Sequence, residues 1–305
     1  MRVLVTGGAG YKGVVLTQRL LRQGHRVTVL DNFLYGYESL MHLVEDPRFD
    51  VLRCDVRGVT EAVVKGYDAV FHLAGISGYS ACEANPQSAR LINVDGSRQL
   101  AEALGRGQML IYASTTAFYG KADGVCDERS PVHPASLYGL TKHQGEQILM
   151  QRENSVALRF ATVFGVSPRM RVDLLVNDFT YRAVTERCLV LFESRSRRTF
   201  VHIGDAVAAY LFALERFGSM RGQVFNVGHE SLNLTKLEVA ERVQRHTGCK
   251  LFDSDLSDYD TRDFQTSFEK IRRLGFTAER TLDQGIEDMV KLYQFYRPLS
   301  LLKTV

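Results

Sequence analysis

The hydrophobic residues of this chain fall into short runs that alternate with longer segments of helical spacing. Runs rich in β-branched and aliphatic side chains are typical of strands buried on both faces. Segments such as Ser88–Leu104 and Leu137–Gln151 predict the intervening helices. This alternation predicts an α/β fold with a doubly wound parallel sheet. The predicted strands are Val3–Val5, His25–Leu30, Phe49–Leu52, Ala69–Leu73, Met109–Ala113 and Val156–Phe160.

A glycine-rich segment, TGGAGYKG, joins the first predicted strand to a helix. Gly7, Gly10 and Gly13 have the spacing GxxGxxG, and Gly8 completes GxGxxG. Such glycines allow a tight turn, bring backbone amides close to a pyrophosphate, and let helix and strand pack closely. The second strand ends at Asp31, whose carboxylate suits an adenosine ribose and repels a 2′-phosphate. The pattern therefore favours NAD over NADP, and a plain turn is the alternative.

Polar residues follow several other predicted strands, at the sheet edge where ligands bind. Asp55 follows one strand, HLAG follows the next, and ASTTAFYG follows another. We predict that Asp55 lies near the adenine amino group, and capping of the following helix is the alternative. Tyr138 and Lys142 are four residues apart in a predicted helix, which places both on one face.

Composition narrows the possible partners and compartments. The 305 residues are 45% hydrophobic and 24% charged, which is enough for a substantial core. A net charge of +3 is too small to predict binding to nucleic acid or to a membrane surface. The chain opens on a strand and a turn, and no apolar run has transmembrane length, so we expect a cytoplasmic protein without a signal peptide. Five scattered cysteines without a CxxC pair predict neither a disulfide framework nor a metal site.

Together the motifs resemble those of the extended short-chain dehydrogenase/reductases, and within them the NAD-dependent nucleotide-sugar epimerase/dehydratase family. The motifs that carry the resemblance are TGGAGYKG, Asp31, CDV, HLAG, Asn93 in NVDG, STTAFYG, YGLTK, LRFATVFG and RRTFVHIGD. The resemblance implies a Rossmann-type NAD-binding domain over 1–165, to which about 200–217 returns. It also implies a smaller C-terminal α/β domain over 166–305 that binds the nucleotide sugar, and a homodimer paired through the helices at 88–104 and 137–151.

The resemblance implies that Tyr138 is the catalytic base, with Lys142 and Thr115 as its partners. A free tyrosine ionises at about pH 10, so a nearby ammonium is needed to stabilise its phenolate. Tyr138 takes a proton from a sugar hydroxyl while C4 passes its hydride to NAD, and Thr115 hydrogen-bonds the reacting oxygen. The predicted cofactor-binding residues are Gly7, Gly10, Tyr11, Lys12, Gly13, Asp31, Asn32, Asp55, Val56, Leu73, Ala74, Gly75, Asn93, Ser114, Tyr138 and Lys142. The predicted substrate-binding residues are Ser77, Thr115, Thr116, Thr162, Asn177, Arg198 and Arg262.

The residues after Thr115 select among the reactions of such enzymes. Similar 4,6-dehydratases carry an Asp-Glu pair where this chain has Thr116 and Ala117, and the second position is Glu in decarboxylases and Cys in GDP-mannose 3,5-epimerases. Alanine transfers no proton, so we predict a 4-epimerase of a UDP-, GDP- or dTDP-sugar that works through a transient 4-keto sugar. The segment SPRMRVDLLVNDFTYRA is similar to a subgroup with a GDP-heptose 4-dehydrogenase, which makes a hexose or heptose 4-dehydrogenase the alternative. A non-catalytic NAD- or sugar-nucleotide-binding regulator is a more distant one.

Several residues carry open interpretations. Lys12 stands where the family has an apolar residue, and we interpret it as pointing to solvent rather than to the pyrophosphate. His72 is expected to support its loop without taking part in catalysis. Cys82 is a candidate for the wall of the sugar pocket. The charged cluster in the segment after residue 166 is interpreted either as a solvated loop or as part of the site; it consists of Arg169, Arg171 and Asp173.

Overall fold

The computed structural model describes residues 1–258 and 260–298. Each predicted strand is present, with bounds within two residues of those expected. The strands are β1 (Arg2–Thr6), β2 (Arg26–Asp31), β3 (Phe49–Arg53), β4 (Ala69–His72), β5 (Met109–Thr115), β6 (Lys121–Cys126), β7 (Ser155–Phe160), β8 (Thr162–Phe164), β9 (Cys188–Phe192), β10 (Arg197–His202), β11 (Gln223–Val227), β12 (Asn233–Thr235), β13 (Lys250–Ser254) and β14 (Asp263–Thr266).

The helices lie between these strands, as the apolar spacing predicts. The predicted helix over 88–104 is interrupted by a π-helical turn at Leu91–Asp95, a feature that often marks functional sites. The α-helices are α1 (Tyr11–Arg22), α2 (Glu61–Val64), α3 (Tyr79–Ala84), α4 (Pro86–Arg90), α5 (Gly96–Ala103), α6 (Leu137–Leu149), α7 (Leu175–Thr185), α8 (Ile203–Glu215), α9 (Phe217–Met220), α10 (Lys236–Thr247), α11 (Glu269–Arg272) and α12 (Leu282–Tyr293).

A seven-stranded parallel sheet forms the centre of the molecule. Its strand order is β11-β7-β5-β4-β1-β2-β3, so the order reverses between β1 and β4. Successive residues of β1 belong to different hydrophobic clusters, with Val3 and Val5 on one face and Leu4 on the other. Helices cover both faces, which confirms the predicted doubly wound Rossmann-type fold. In such sheets ligands bind at the point where the strand order reverses.

The remaining strands form the smaller C-terminal part. It contains the sheet β12-β10-β8 and the strand pairs β13-β9 and β14-β6, packed with α7, α10 and α12. Helix α8, which lies within 200–217, packs on α1 and on the large sheet.

One return of the chain to the large sheet was not predicted. Strand β11 pairs with β7 over five residues and completes the large sheet, although it lies within the expected substrate domain. Conversely, β6 lies within the expected cofactor domain and pairs with β14. The two parts are therefore interleaved along the chain, and 165 does not divide them cleanly.

Candidate active site

The glycine loop forms a backbone cradle at the start of α1. Gly7 has a φ of +71°, and a Cβ on it would lie 2.6 Å from the backbone nitrogen of Ala74. A Cβ on Gly13 would lie 2.3 Å from the carbonyl oxygen of Gly7. No side chain caps α1, so the amides of its first turn are free to donate to a ligand. Only glycine fits these positions, and the cradle suits a pyrophosphate.

Two carboxylates lie at the adenosine end of the cavity. Asp31 accepts hydrogen bonds from the backbone amides of Ala9 and Phe33, at 3.0 and 2.9 Å, which fixes its orientation at the end of β2. Asp55 accepts from the amide of Arg57 at 2.9 Å and pairs with its guanidinium, which lowers the pKa of Asp55 to about 2. The capping alternative for Asp55 is therefore what the structure shows, although the residue also lines the cavity.

The cavity continues from this loop to the ends of β5 and β7 and has a volume of about 260 Å³. At its far end lie Thr115, the last residue of β5, and Tyr138, in the first turn of α6. Ser136 caps α6 by accepting from the amide of Gly139 at 3.2 Å, which fixes where the helix begins. The Oγ1 of Thr115 accepts from the amide of Ala117, so its proton is available for a ligand. The two predicted catalytic hydroxyls thus face one cavity.

Lys142 lies behind this pair, away from the cavity wall. Its side chain is 6% exposed, and its Nζ is 4.0 Å from the centre of the Tyr112 ring. An ammonium is attracted to such an aromatic face. Burial nevertheless lowers its pKa to about 7, an effect that the carboxylate of Glu146 opposes. In the ligand-free protein, Lys142 is therefore close to losing its proton at neutral pH.

A buried network supports the catalytic wall from behind. The hydroxyl of Ser114 donates to Glu146 at 2.6 Å, and the guanidinium of Arg159 donates to both oxygens of the same carboxylate at 2.6 to 3.1 Å. The two charged side chains are only 4% and 7% exposed. Neither residue was predicted from the sequence. The one signal in the sequence concerns Glu146, which follows Lys142 by four residues and therefore lies on the same helix face.

Asn93 and His72 hold the loop after β4, and neither lines the cavity. The amide of Asn93 bonds to both backbone groups of Ile76 and to the hydroxyl of Thr141, and its residue is 1% exposed. The structure places Asn93 behind the cavity wall, where it holds the loop, and its contact with the cofactor stays a prediction. His72 bonds to Thr6 and Ser97, and burial lowers its pKa to about 3, so it is neutral and supports the loop as expected.

Of the predicted substrate residues, four line the cavity: Ser77, Thr115, Thr162 and Arg262. Three others lie behind its wall. Thr116 donates to the carbonyl of Phe160 at 3.3 Å. Asn177 is fully buried and uses its amide on Tyr11, Gly165 and Arg171. At these positions the side chain points away from the cavity and supports its wall, because its hydrogen-bond partners lie within the protein.

Arg198 and Arg262 share one carboxylate, that of Asp260. Arg262 forms an ion pair with it, and Nη2 of Arg198 lies 3.4 Å from its Oδ1. Burial raises the pKa of Asp260, but the two guanidiniums outweigh this effect and hold the pKa below its ordinary value. Arg198 is 1% exposed, and its Nε has no hydrogen-bond partner within the described parts of the chain. Arg198 therefore reaches the cavity only through its neighbour.

The segment after β8 belongs to the cavity wall. Arg169 and Arg171 both line it, and Nε of Arg171 donates to Asp173 at 2.9 Å. Two of the three charged residues thus belong to the cavity wall, while Asp173 is exposed. Cys82 does not line the cavity, since it is fully buried with its Sγ near the carbonyl of Ile76. Lys12 does not point to solvent either, because its Nζ lies 4.1 Å from the centre of the Phe160 ring.

The two buried lysines predict a particular pH dependence of stability. Burial lowers the pKa of Lys12 and of Lys142 from 10.5 to about 7, so between these values the unfolded chain binds more protons than the folded one. Stability then rises with pH. We expect the unfolding free energy of the ligand-free protein to increase from pH 7 to pH 9, by at most about 1.4 kcal/mol per pH unit for each lysine. Above pH 9 the thiol of Cys82, whose pKa burial raises to about 12, acts in the opposite direction.

Urea unfolding at pH 7, 8 and 9 measures this slope. Lys12→Met removes one of the two groups and should make the rise with pH shallower. The same slope in the variant and in the unmodified protein would contradict the effect of Lys12.

The fold and the site define an enzyme of the extended short-chain dehydrogenase/reductase class. The model of the NAD dependent epimerase/dehydratase family matches residues 3–228, and the chain belongs to this family. Its predicted cofactor, NAD, is the cofactor of the family. No helix of the described residues has the length and apolar character needed to cross a membrane. Within the same residues, no group of three or more His, Cys, Asp or Glu is placed to hold a metal ion.

Known proteins with different reactions resemble the chain to similar extents. A Bacillus subtilis protein named as an uncharacterized UDP-glucose epimerase, YtcB, is 30% identical over 75% of this chain and 77% of its own. UDP-glucuronic acid decarboxylase 4 of Arabidopsis thaliana is 29% identical over 95% of this chain and 68% of its own. The crystal structure of UDP-glucuronic acid 4-epimerase from Bacillus cereus, with UDP-glucuronic acid and NAD, has a TM-score of 0.88 at 25% identity and covers 97% of this chain and all of the other.

Proposed function

We propose that the protein is an NAD-dependent nucleotide-sugar 4-epimerase that acts through a transient 4-keto sugar. The observation that carries the proposal is the set of side chains at the reacting end of the cavity. Thr115 and Tyr138 lie there together with cationic residues. Among the described residues that line the cavity, the carboxylates are Asp31 and Asp55, both at the opposite end. The site thus offers groups for oxidation and reduction at one carbon and no acid for a further proton transfer.

The cradle, Asp31 and the wall after β4 are the groups that would hold NAD. The bare first turn of α1 suits the pyrophosphate, and the oriented carboxylate of Asp31 suits the ribose. When bound, the cofactor supplies a reversible hydride acceptor for C4 of the sugar. Leu73, Ala74 and Gly75 line the wall on the other side. The residues present therefore fit the dinucleotide along its whole length.

Three side chains would carry out or support the proton transfer. Tyr138 takes the proton of the C4 hydroxyl and later returns it, and Lys142 stabilises the phenolate by its charge. Thr115 donates its free proton to the reacting oxygen and keeps the sugar in place. Arg171 and Arg262 also interact electrostatically with Tyr138. For inversion, the keto sugar has to turn and present its other face before the carbon is reduced again.

The nucleotide end of the substrate would meet Arg262. A planar guanidinium binds diphosphate oxygens in a fork, and here the fork is occupied by Asp260. A substrate diphosphate would compete with this carboxylate, and Arg198 would stabilise the exchange from behind. Solved relatives bind UDP-glucuronic acid, UDP-glucose or a thymidine nucleotide, and we propose a substrate of the same class.

Absence of a catalytic acid separates this proposal from the reactions of several relatives. The Bacillus anthracis and Streptomyces venezuelae neighbours are dTDP-glucose 4,6-dehydratases, and several sequence relatives are decarboxylases. At the position after Thr116 this chain has Ala117, which is 3% exposed and carries no titratable group. A homodimer paired through the helices at 88–104 and 137–151 and a cytoplasmic location stay predictions. In support of the dimer, these segments leave apolar side chains partly exposed, among them those of Leu91, Leu140 and Ile148.

The test is a panel of UDP-, GDP-, dTDP- and ADP-sugars incubated with the purified protein. We expect inversion at C4, seen by NMR, without net NADH, seen by absorbance at 340 nm. Stoichiometric NADH with a 4-keto product would instead establish the dehydrogenase, for which the segment lining the cavity at Arg169 and Arg171 is the supporting observation. Loss of a C6 hydroxyl or of carbon dioxide would contradict the reading of Ala117. No turnover of any sugar by protein that still binds NAD would favour a regulator.

A further inference from the structure

A lysine stands at the reacting end of the cofactor cavity. Lys12 lies in the first turn of α1, with its Nζ 4.1 Å from the centre of the Phe160 ring. Phe160 is the register partner of Thr115 on the neighbouring strand, so the two backbones are about 4.8 Å apart. The ring of Tyr210 lies on the same nitrogen, with its centre 5.6 Å away. The ammonium is therefore held beside the residues that would bind the reacting hydroxyl.

Within the described residues, no carboxylate pairs with this ammonium. Over 1–258 and 260–298, Nζ of Lys12 has no hydrogen bond or ion pair, and the charged groups acting on it are Lys142 and Arg171. Burial, together with repulsion by these two cations, lowers the pKa of Lys12 to about 7. The side chain is partly exposed and lines the cavity, so its ammonium faces the space that a ligand would fill, next to the aromatic faces that attract it. Below pH 7 the protonated Lys12 therefore presents an unpaired positive charge to the cavity.

Packing alone explains the position poorly. A lysine that serves as an apolar filler runs its stem along the core and keeps its head group in water. Here the partly exposed head group opens to the cofactor cavity, against Phe160 and within reach of Tyr210, and not to the outer surface. An uncharged aliphatic side chain would fill the same space without placing an ammonium at the cavity. The charge therefore calls for a role that a neutral residue does not provide.

The two oxidation states of the nicotinamide ring differ by one positive charge, since the oxidised ring is a cation and the reduced ring is neutral. A fixed cation at the reacting end repels the oxidised ring and leaves the reduced ring largely unaffected. We propose that Lys12 makes this cavity select the reduced dinucleotide over the oxidised one. The proposal rests on the assignment of NAD to the cavity under the proposed function, and it is independent of the identity of the sugar.

This selection bears on which reaction the site supports. An epimerase has to keep the reduced dinucleotide bound while the keto sugar rotates to present its other face. A dehydrogenase instead has to exchange the dinucleotide after each cycle. Differences in affinity between related ligands lie mostly in the rate of dissociation. Tighter binding of the reduced form therefore lengthens its stay in the cavity, which favours the return of the hydride.

The test compares the dissociation constants of NAD and NADH by calorimetry at pH 6.5, where Lys12 is largely protonated. The protein, freed of bound nucleotide, is measured unmodified, as Lys12→Met and as Lys12→Arg. We expect the unmodified protein to bind NADH more tightly than NAD. Lys12→Met keeps the length and removes the charge, and should lower the ratio Kd(NAD)/Kd(NADH) about tenfold. Lys12→Arg keeps the charge and should keep the ratio.

An unchanged ratio in Lys12→Met would overturn the proposal. Equal weakening of both nucleotides would do the same, because it would place the charge at the pyrophosphate that they share. If Lys12→Met does not fold, the dissociation constants of the unmodified protein provide the test. Tighter binding of NAD than of NADH to that protein would overturn the proposal. Binding of neither nucleotide would remove the proposed function and this inference together. A negative sugar panel with a normal ratio would affect the proposed function alone.

Discussion

Tyr138→Phe should lower kcat by about 10²- to 10⁴-fold, the usual contribution of a positioned acid or base. The substitution removes one oxygen and keeps the ring that packs beside Ile76 and Cys82 at the start of α6. Lys142 and Thr115 keep their positions, because their own contacts are with Tyr112 and Ala117. The affinity for NAD should therefore change by less than about threefold, which is within 0.7 kcal/mol.

Single-turnover kinetics on the substrate found in the panel, together with NAD titration, provides the measurement. Tyr293→Phe is the matched control, since Tyr293 lies in α12 and its buried hydroxyl has no partner within the described residues. Its turnover should equal that of the unmodified protein. If Tyr138→Phe kept turnover within tenfold of the unmodified enzyme, Tyr138 would not be the base. Loss of NAD binding would show a structural effect instead.

Glu146→Gln should destabilise the protein by about 3 kcal/mol or more, because it leaves the guanidinium of Arg159 buried without a counter-charge. The remaining partners of Arg159 are neutral, the hydroxyl of Tyr119 and the carbonyl of Glu128. The substitution also takes from Ser114 the charged acceptor of its hydroxyl, so the end of β5 loses an anchor. Activity should fall with stability for this reason.

Equilibrium urea unfolding measures the change. Asp95→Asn breaks an exposed pair with Arg98, in which both side chains are 51% exposed, and should cost less than about 1 kcal/mol. Replacing both partners, in Glu146→Leu with Arg159→Met, should restore part of the loss, since an apolar pair leaves no unpaired charge. A loss for Glu146→Gln as small as that of Asp95→Asn would show that water reaches the pair.

The sequence predicts the central sheet well because its inner strands, such as β4 and β7, are buried on both faces and therefore appear as mostly apolar runs. The glycine cradle was predictable for a similar reason, since its spacing follows from backbone contacts within a few residues. The direction of a polar side chain is harder to predict. Whether Asn177 or Thr116 faces the cavity depends on which side of its element packs inward. For Lys12 the outcome depends on Phe160 and Tyr210, which come from distant parts of the chain.

The hydrogen-bond network around Glu146 was likewise not predictable from the sequence. Nothing in the local sequence distinguishes a helix carboxylate that meets solvent from one that meets a buried guanidinium. Strand β11 was missed because its apolar run stands among segments of the substrate part, and only pairing with β7 assigns it to the large sheet.

Because the two parts are interleaved along the chain, one of them cannot be replaced by the matching part of a relative through a single junction. A chain cut at 165 would leave β7 as an open edge with unpaired backbone groups, and it would strip α8 from the face that it covers. During synthesis, the large sheet is complete only after residue 227 has emerged. A chimaera that imports another sugar-binding half therefore has to keep Ile203–Glu215 and Gln223–Val227 from the host, so it needs several junctions.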